Sequence, residues 1–248
     1  MLDIDDDKRT IRELVENWAV WRDARLWDRF RTVWHPEGRM WATWFQGSFE
    51  EFIKGNDEGW KREHALRGYA AEGVHMSIKQ MSAQLLSVDI GEQENYIDLQ
   101  RMRARQIWDE CKHSKLHADV LLGKGWVKDE RELMQITEAN IQPLPAYFGL
   151  SMMFPHIHPL ARAAQNYYTE ANACLGIMAY IKLCGDDPLV VHEHLSQRDE
   201  ELMHFMEGKY QLDFYCTTPE AQHHVEEALG YLLHQLGGFG RSPQPGGR

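Results

Sequence analysis

This chain is short of cysteine, of basic charge and of long apolar runs, and each shortage removes a class of protein. Cys111, Cys174, Cys184 and Cys216 are its four cysteines in 248 residues. They show no Cys-x-x-Cys spacing and are too few for a disulfide framework, so they read as reduced thiols of a cytoplasmic protein. The first residues, Met1-Leu2-Asp3-Ile4-Asp5-Asp6-Asp7, are acidic where a secretory signal is basic and then apolar. No stretch approaches the roughly 18 apolar residues of a membrane span, so no membrane partner is expected. Lys and Arg number 27 against 38 Asp and Glu, a net charge of -11, so no nucleic-acid partner is expected either. A glycine signature for flavin or nicotinamide is also missing. If the chain does redox chemistry, its electrons come from an external donor, a reductase or ferredoxin.

What is present is one arrangement used twice: a glutamate followed, further along, by Glu-x-x-His. The first copy is Glu72 with Glu110-Cys111-Lys112-His113, and the second is Glu170 with Glu201-Leu202-Met203-His204. Residues i and i+3 share a helix face, so each Glu-x-x-His aims a carboxylate and an imidazole at one point. Two residues facing each other across an antiparallel helix pair lie equally far from the intervening turn. The midpoint of 72 and 110 falls in Asp89-Ile90-Gly91-Glu92-Gln93, and that of 170 and 201 in Cys184-Gly185-Asp186-Asp187-Pro188. Both stretches have turn composition, so each glutamate is expected to face its own Glu-x-x-His across a hairpin. A lone Glu-x-x-His ordinarily marks a solvated helix face. Two copies, each with a partner glutamate and a central turn, favour a metal site, and carboxylates mixed with imidazoles suit iron or manganese.

Apolar periodicity predicts two short helices over 8–34, a turn at His35-Pro36-Glu37-Gly38, and an aromatic strand or hairpin arm over 39–47. A capping box formed by Ser48 and Glu51 starts a helix over 49–63. Helical spacing follows over 66–86, over 94–122 and near 128–140. A crossover interrupted by Pro143, Pro145, Pro155 and Pro159 leads to helices over 160–184 and 188–211, and a last helix runs from Thr218 to about residue 236. Residues 237–248 have the composition of a disordered tail. The expected fold class is mainly α, with an N-terminal helical and short-strand segment over 1–65 packed on a helical bundle over 66–236.

Ile11-Arg12-Glu13-Leu14-Val15, Trp34-His35-Pro36-Glu37-Gly38-Arg39-Met40 and Trp44-Phe45-Gln46-Gly47 resemble the start of the SnoaL-like, nuclear transport factor 2-like family. That likeness covers residues 8–63. The alternating runs needed for the later strands of that family are not found after residue 65, so functions such as polyketide cyclisation are not carried over.

Residues 66–236 resemble the ferritin-like diiron-carboxylate oxygenases. These are four-helix bundles with a long crossover, in which two helices each give a Glu and the other two each give a Glu-x-x-His. The resemblance implies two iron ions, with manganese or a mixed Fe/Mn pair as variants, held by Glu72, Glu110, His113, Glu170, Glu201 and His204. It implies that Asp109 and Glu200, each preceding a ligand glutamate, hold a ligand histidine from behind, as in the bacterial multicomponent monooxygenases. The gap from Glu110 to Glu170 also compares with that of the arylamine N-oxygenases. The implied activity uses O2 to hydroxylate, N-oxygenate or desaturate a small organic substrate, and a homodimer is compatible with it.

Many relatives in that superfamily have a threonine four residues after the glutamate corresponding to Glu170. Cys174 stands there, and with Tyr168 it is the candidate catalytic residue. His75 turns Glu72-Gly73-Val74-His75 into a third Glu-x-x-His and is either an extra ligand or a core group. His117, one turn beyond His113, is expected behind the ligands. Ile107, Trp108, Leu116, Val120, Leu202, Met203 and Phe205 flank the ligands and are expected to face inward with them. Two other readings stand beside this one: an iron-handling bundle of the ferritin or rubrerythrin kind, and a metal-free SnoaL-like cyclase or lyase.

Overall fold

The structure, a computed structural model, describes residues 4–43, 45–72, 96–140 and 159–236. Backbone contacts divide the chain into two units, one up to His64 and one from Ala65. The expected turn around Gly91, His75, the proline-rich crossover over 141–158 and the tail over 237–248 lie outside the described residues.

In the first unit, α1 (Ile4–Asp23) and α2 (Trp27–Arg31) are followed by β1 (Arg39–Trp41), β2 (Gln46–Ser48) and the greater part of α3 (Phe49–Gly68). The aromatic stretch is a hairpin: β1 and β2 pair antiparallel, with Met40 opposite Gly47. The capping box at the start of α3 is formed. The Ser48 amide donates to Glu51 Oε2 at 2.8 Å, and the Glu51 amide donates to Ser48 Oγ at 3.3 Å. Phe30 is fully buried, with the rings of Trp18, Trp27, Trp34 and Phe52 centred 5.6 to 6.2 Å away. Beside this core, Asp57 receives the indole N–H of Trp27 at 3.2 Å, the Lys61 ammonium at 2.9 Å and the Arg25 guanidinium.

In the second unit, the last residues of α3 lead into a wider π-type turn that reaches Glu72. The remaining helices are α4 (Tyr96–Gly123), α5 (Glu130–Asn140), α6 (Pro159–Leu183), α7 (Pro188–Tyr215) and α8 (Pro219–Leu236). The fold is a mainly α helical bundle, and β1 and β2 are the only strands among the described residues. None of the described helices is long and apolar enough to cross a membrane.

α6 and α7 form the hairpin expected around residue 185. The turn is Cys184-Gly185-Asp186. Asp187 then caps α7, its side chain accepting from the Val190 amide at 3.5 Å, with Pro188 in the first turn. The two backbones approach closely at Gly208, where a Cβ would stand 2.7 Å from the Tyr167 nitrogen and 3.0 Å from the Ala163 oxygen. α8 covers the other side of α6 through Leu160, Ala164, Ala221, Val225 and Ala228. α4 packs against α7 and α5.

The seam between α4 and α7 is polar where a soluble bundle ordinarily carries leucine and isoleucine. α4 buries Gln106, Asp109, Glu110, His113, Ser114 and His117, and α7 buries Glu193, His194, Gln197, Glu201 and His204. The flanking apolar residues were expected to share this face, and three of them do not. Trp108 is 71% exposed, Leu202 52% and Met203 48%. Each lies one or two positions from a ligand, a rotation of about 100 to 200° that carries it off the ligand face.

Candidate metal centre

The buried seam brings the six expected ligands together as two overlapping groups. One is Glu72, Glu110, His113 and Glu201, and the other is Glu110, Glu170, Glu201 and His204. Within each group the candidate donor atoms lie within 4.8 Å of one another, so either group could hold a metal ion. Glu110 and Glu201 belong to both. Glu201 turns Oε1 to His113 Nδ1 at 3.0 Å and Oε2 to His204 Nδ1 at 3.3 Å. Glu110 does the same in the reverse sense, with Oε1 3.6 Å from His204 Nδ1 and Oε2 3.8 Å from His113 Nδ1. Two carboxylates therefore span two imidazoles, and both imidazoles present Nδ1 inward.

The outward nitrogens are held by the two carboxylates that precede the ligand glutamates, in a crossed pattern. His113 Nε2 lies 2.9 Å from Glu200 Oε2, and His204 Nε2 lies 3.3 Å from Asp109 Oδ2. With Nε2–H donating to a carboxylate, the Nδ1 lone pair is free to face a cation. Cations from α4 hold these carboxylates in turn. Arg105 Nε donates to both oxygens of Asp109 at 2.8 and 2.9 Å, and Lys112 pairs with Glu200.

The partner glutamates are held differently. Glu170 Oε1 accepts from Gln106 Nε2 at 3.0 Å. Gln106 exchanges hydrogen bonds with Asn166 and accepts from Arg103 Nη1 at 2.6 Å. Glu72, in the π-type turn, lies 3.2 Å from His117 Nε2. The other side of the His117 ring meets Glu193, whose second oxygen is 3.4 Å from His194 Nδ1. Sequence reasoning missed Gln106, Asn166, Glu193 and His194. All four sit four to eight residues before a ligand on the same helix, so a 3.6-residue period projected backward from Glu110, Glu170 and Glu201 reaches them.

Four carboxylates enclosed in one space repel each other, and the titration of the site reflects this. Burial and neighbouring carboxylates raise Glu110, and raise Glu170 well above the ordinary carboxylate range. For His113, burial opposes the charged form but is outweighed by Glu110, Glu201 and Glu72, which push it up to about 12. Glu201 moves down: its own burial is outweighed by hydrogen bonds from His113 and His204. The set demands compensating positive charge. His113 Nδ1 lies 3.0 Å from Glu201 Oε1 and 3.8 Å from Glu110 Oε2, so a cation held among these atoms would take the place of its proton. The donor set, four carboxylates with two imidazoles, fits iron or manganese.

The two candidate catalytic residues are placed less centrally. Cys174 lies one turn beyond Glu170, partly buried, and its thiol is raised by burial and by the charge of Glu201, so it stays protonated at neutral pH. Tyr168 lies two residues before Glu170, a rotation of about 200° that turns it away from the Glu170 face. Outside the centre, Met102, Leu202, Met203, Met206 and Tyr210 line a surface groove of about 350 Å³ between α4 and α7, with Asp199 and Glu207 also lining it. Burial raises the Glu207 carboxyl to about 7, with His204, Arg103 and Arg105 pulling it down and Asp109 pushing it up.

No family model matches this chain, and no solved structure matches it. An uncharacterized protein of Emericella nidulans is 33% identical over 54 residues, which cover 21% of this chain and 23% of that protein. An uncharacterized protein of Aspergillus terreus is 37% identical over 38 residues, covering 15% of this chain and 14% of that protein. The chain therefore matches less than a quarter of the length of either relative.

Proposed function

We propose that this chain is a non-haem diiron oxygenase of the ferritin-like kind, which uses O2 and electrons from a separate donor protein to oxidise a small organic substrate. One observation carries the reading: Glu110 and Glu201 each direct one oxygen toward each of two inward-facing imidazoles, so that two four-residue groups share two carboxylates. Such sharing would let the two groups hold one metal ion each, with Glu110 and Glu201 serving both. Two divalent ions also match the charge of four glutamates, which lets a buried carboxylate cluster exist without protons. When bound, a reduced iron pair supplies the electrons and the open coordination positions for O2 activation.

The protein's own residues contribute geometry and proton placement. Asp109 and Glu200 fix the histidine tautomers and ring orientations. Gln106 and His117 orient the two non-bridging carboxylates. The apolar groove beside α7 offers a seat for an uncharged organic molecule of small size, with flexible methionines that adapt to its shape.

The test is anaerobic titration of metal-free protein with Fe(II), followed by exposure to O2. The proposal expects about two irons per chain, a near-ultraviolet and visible absorption that develops on oxidation, and loss of both in Glu110→Gln and Glu201→Gln proteins that remain helical. A well-folded protein that takes up no iron would refute it.

A further inference from the structure

We infer that His117, fixed by Glu193 and by the missing side chain of Gly68, is the positioning residue for Glu72, and that the metal position shared by Glu72 is the weaker and later filled of the two. The inference rests on the dimetal reading above and deepens it by making the two positions unequal.

The inequality starts in the backbone. Glu170 sits mid-way along α6, 8% exposed, and is gripped by a Gln106 that is itself tied to Asn166 and Arg103. Its direction is set by regular helical register. Glu72 lies in the π-type turn that prolongs α3, and its side chain is 21% exposed. A π-type turn breaks the i to i−4 register, so the helix alone does not define where Glu72 points.

An imidazole supplies what the helix does not. His117 is 2% exposed, and its Nε2 meets Glu72 Oε2 at 3.2 Å. Its Nδ1 meets Glu193, which is 2% exposed and also lies against His194. His194 is locked by its Nδ1–H donating to the Val190 carbonyl at 2.8 Å and by stacking on Tyr180, with centroids 4.8 Å apart and planes 7° from parallel. Glu72 is therefore connected through three buried side chains to the frame of α6 and α7.

Gly68 gives an independent sign that this ring position is built in. A Cβ at residue 68 would stand 2.2 Å from His117 Nε2, 2.4 Å from Cε1 and 2.5 Å from Cδ2. Those distances are well inside van der Waals contact, so the imidazole occupies space that only glycine leaves open.

The experiment titrates metal-free, full-length protein with Mn(II) alone, following free Mn(II) by electron paramagnetic resonance, with circular dichroism as the check on folding. Wild type should bind two equivalents, the first more tightly than the second. His117→Ala should leave the first unchanged and weaken the second about 10- to 100-fold, the range for residues that orient a ligand. Gly68→Ala should reproduce that loss without removing any polar atom. His117→Gln, which keeps a donor near the Nε2 position, should recover most of the second equivalent. If His117→Ala weakens both equivalents alike or neither, or if Gln is no better than Ala, the inference is overturned; that pair decides the question where Gly68→Ala does not fold. Wild type that binds no Mn(II) and no Fe(II) would overturn the dimetal reading and this inference with it. Two wild-type equivalents unaffected by His117→Ala would overturn the inference alone.

Discussion

Glu200 Oε2 stands 2.9 Å from Nε2 of His113, although Glu200 is on α7 beside the second Glu-x-x-His and His113 completes the first. Asp109 returns the relationship, reaching from beside Glu110 to His204 at 3.3 Å. Each repeat thus supplies the carboxylate that orients the other repeat's imidazole. The pairing ties α4 to α7 across the seam and couples the two candidate metal positions through protein as well as through Glu110 and Glu201.

The crossing predicts which metal each carboxylate serves. Asp109→Asn should weaken the ion held with His204 and Glu170, although Asp109 adjoins Glu110. Glu200→Gln should weaken the ion held with His113 and Glu72. Each loss should be at least about tenfold. Measured against the ligand variants, Asp109→Asn should be nearly without further effect in a Glu170→Gln background and Glu200→Gln in a Glu72→Gln background. The reverse assignment would show that the crossing has no bearing on binding.

The shared glutamates and the unshared Glu170 should also separate. Glu110→Gln or Glu201→Gln should abolish pairwise loading, whereas Glu170→Gln should leave one equivalent at the Glu72 side. Because burial and neighbouring charge raise both Glu110 and Glu170, removing the charge of either should not lower the melting temperature of the metal-free protein. Calorimetry on stripped protein reads both quantities at once.

Much of this centre was legible because helix periodicity is strict. An i to i+3 spacing and a hairpin midpoint need no tertiary knowledge, so Glu110, His113, Glu170, Glu201 and His204 and the turn at Cys184-Gly185-Asp186 could be read from spacing alone. The same rule projected backward would have reached Glu193 and Gln106. Other features depend on three-dimensional packing. Trp108 and Leu202 are apolar by composition and exposed by angle. The π-type turn that delivers Glu72, and the void at Gly68 that admits His117, leave no periodic trace. Nor could spacing say which histidine Asp109 and Glu200 would back, since both pairings satisfy the sequence.

The first unit should be acutely sensitive at Phe30. Its ring is the hub on which Trp18, Trp27, Trp34 and Phe52 meet. Phe30→Ala should cost about 3–5 kcal/mol, the usual range for a fully buried phenylalanine. Near-ultraviolet circular dichroism should report the loss, because seven of the nine tryptophans lie at or before Trp60.

Acid should loosen the same unit through Asp57. Burial raises the Asp57 carboxyl, but Lys61 and Arg25 outweigh it and hold the group below its ordinary value of 3.8. A depressed folded value gives stability that is present above the ordinary carboxylate range and is lost as pH falls through the folded one. Asp57→Asn should therefore lower stability at pH 7 and flatten its dependence below about pH 4. Tryptophan fluorescence during urea unfolding at pH 7 and pH 3 gives the comparison; equal losses at both would remove Asp57 from the account.

The candidate metal centre should show a pH dependence of the opposite sense. In the metal-free protein, His113 is pushed up to about 12 from 6.5 and Glu110 and Glu170 are raised. Raised groups stabilise the fold fully below their unfolded values, and that contribution is lost as pH climbs toward the folded ones. Glu201 moves down, but it is ionised in both folded and unfolded chains above about pH 6 and adds no slope there. Metal-free stability from the centre should thus decline between pH 6 and pH 8. Metal ions replace the same protons, so their affinity rises over that interval. The melting-temperature difference between Mn(II)-loaded and metal-free protein should widen from pH 6 to pH 8. In a Glu110→Gln, Glu201→Gln double variant it should vanish. A difference that stayed constant or narrowed in wild type would mean that the ion binds away from these carboxylates.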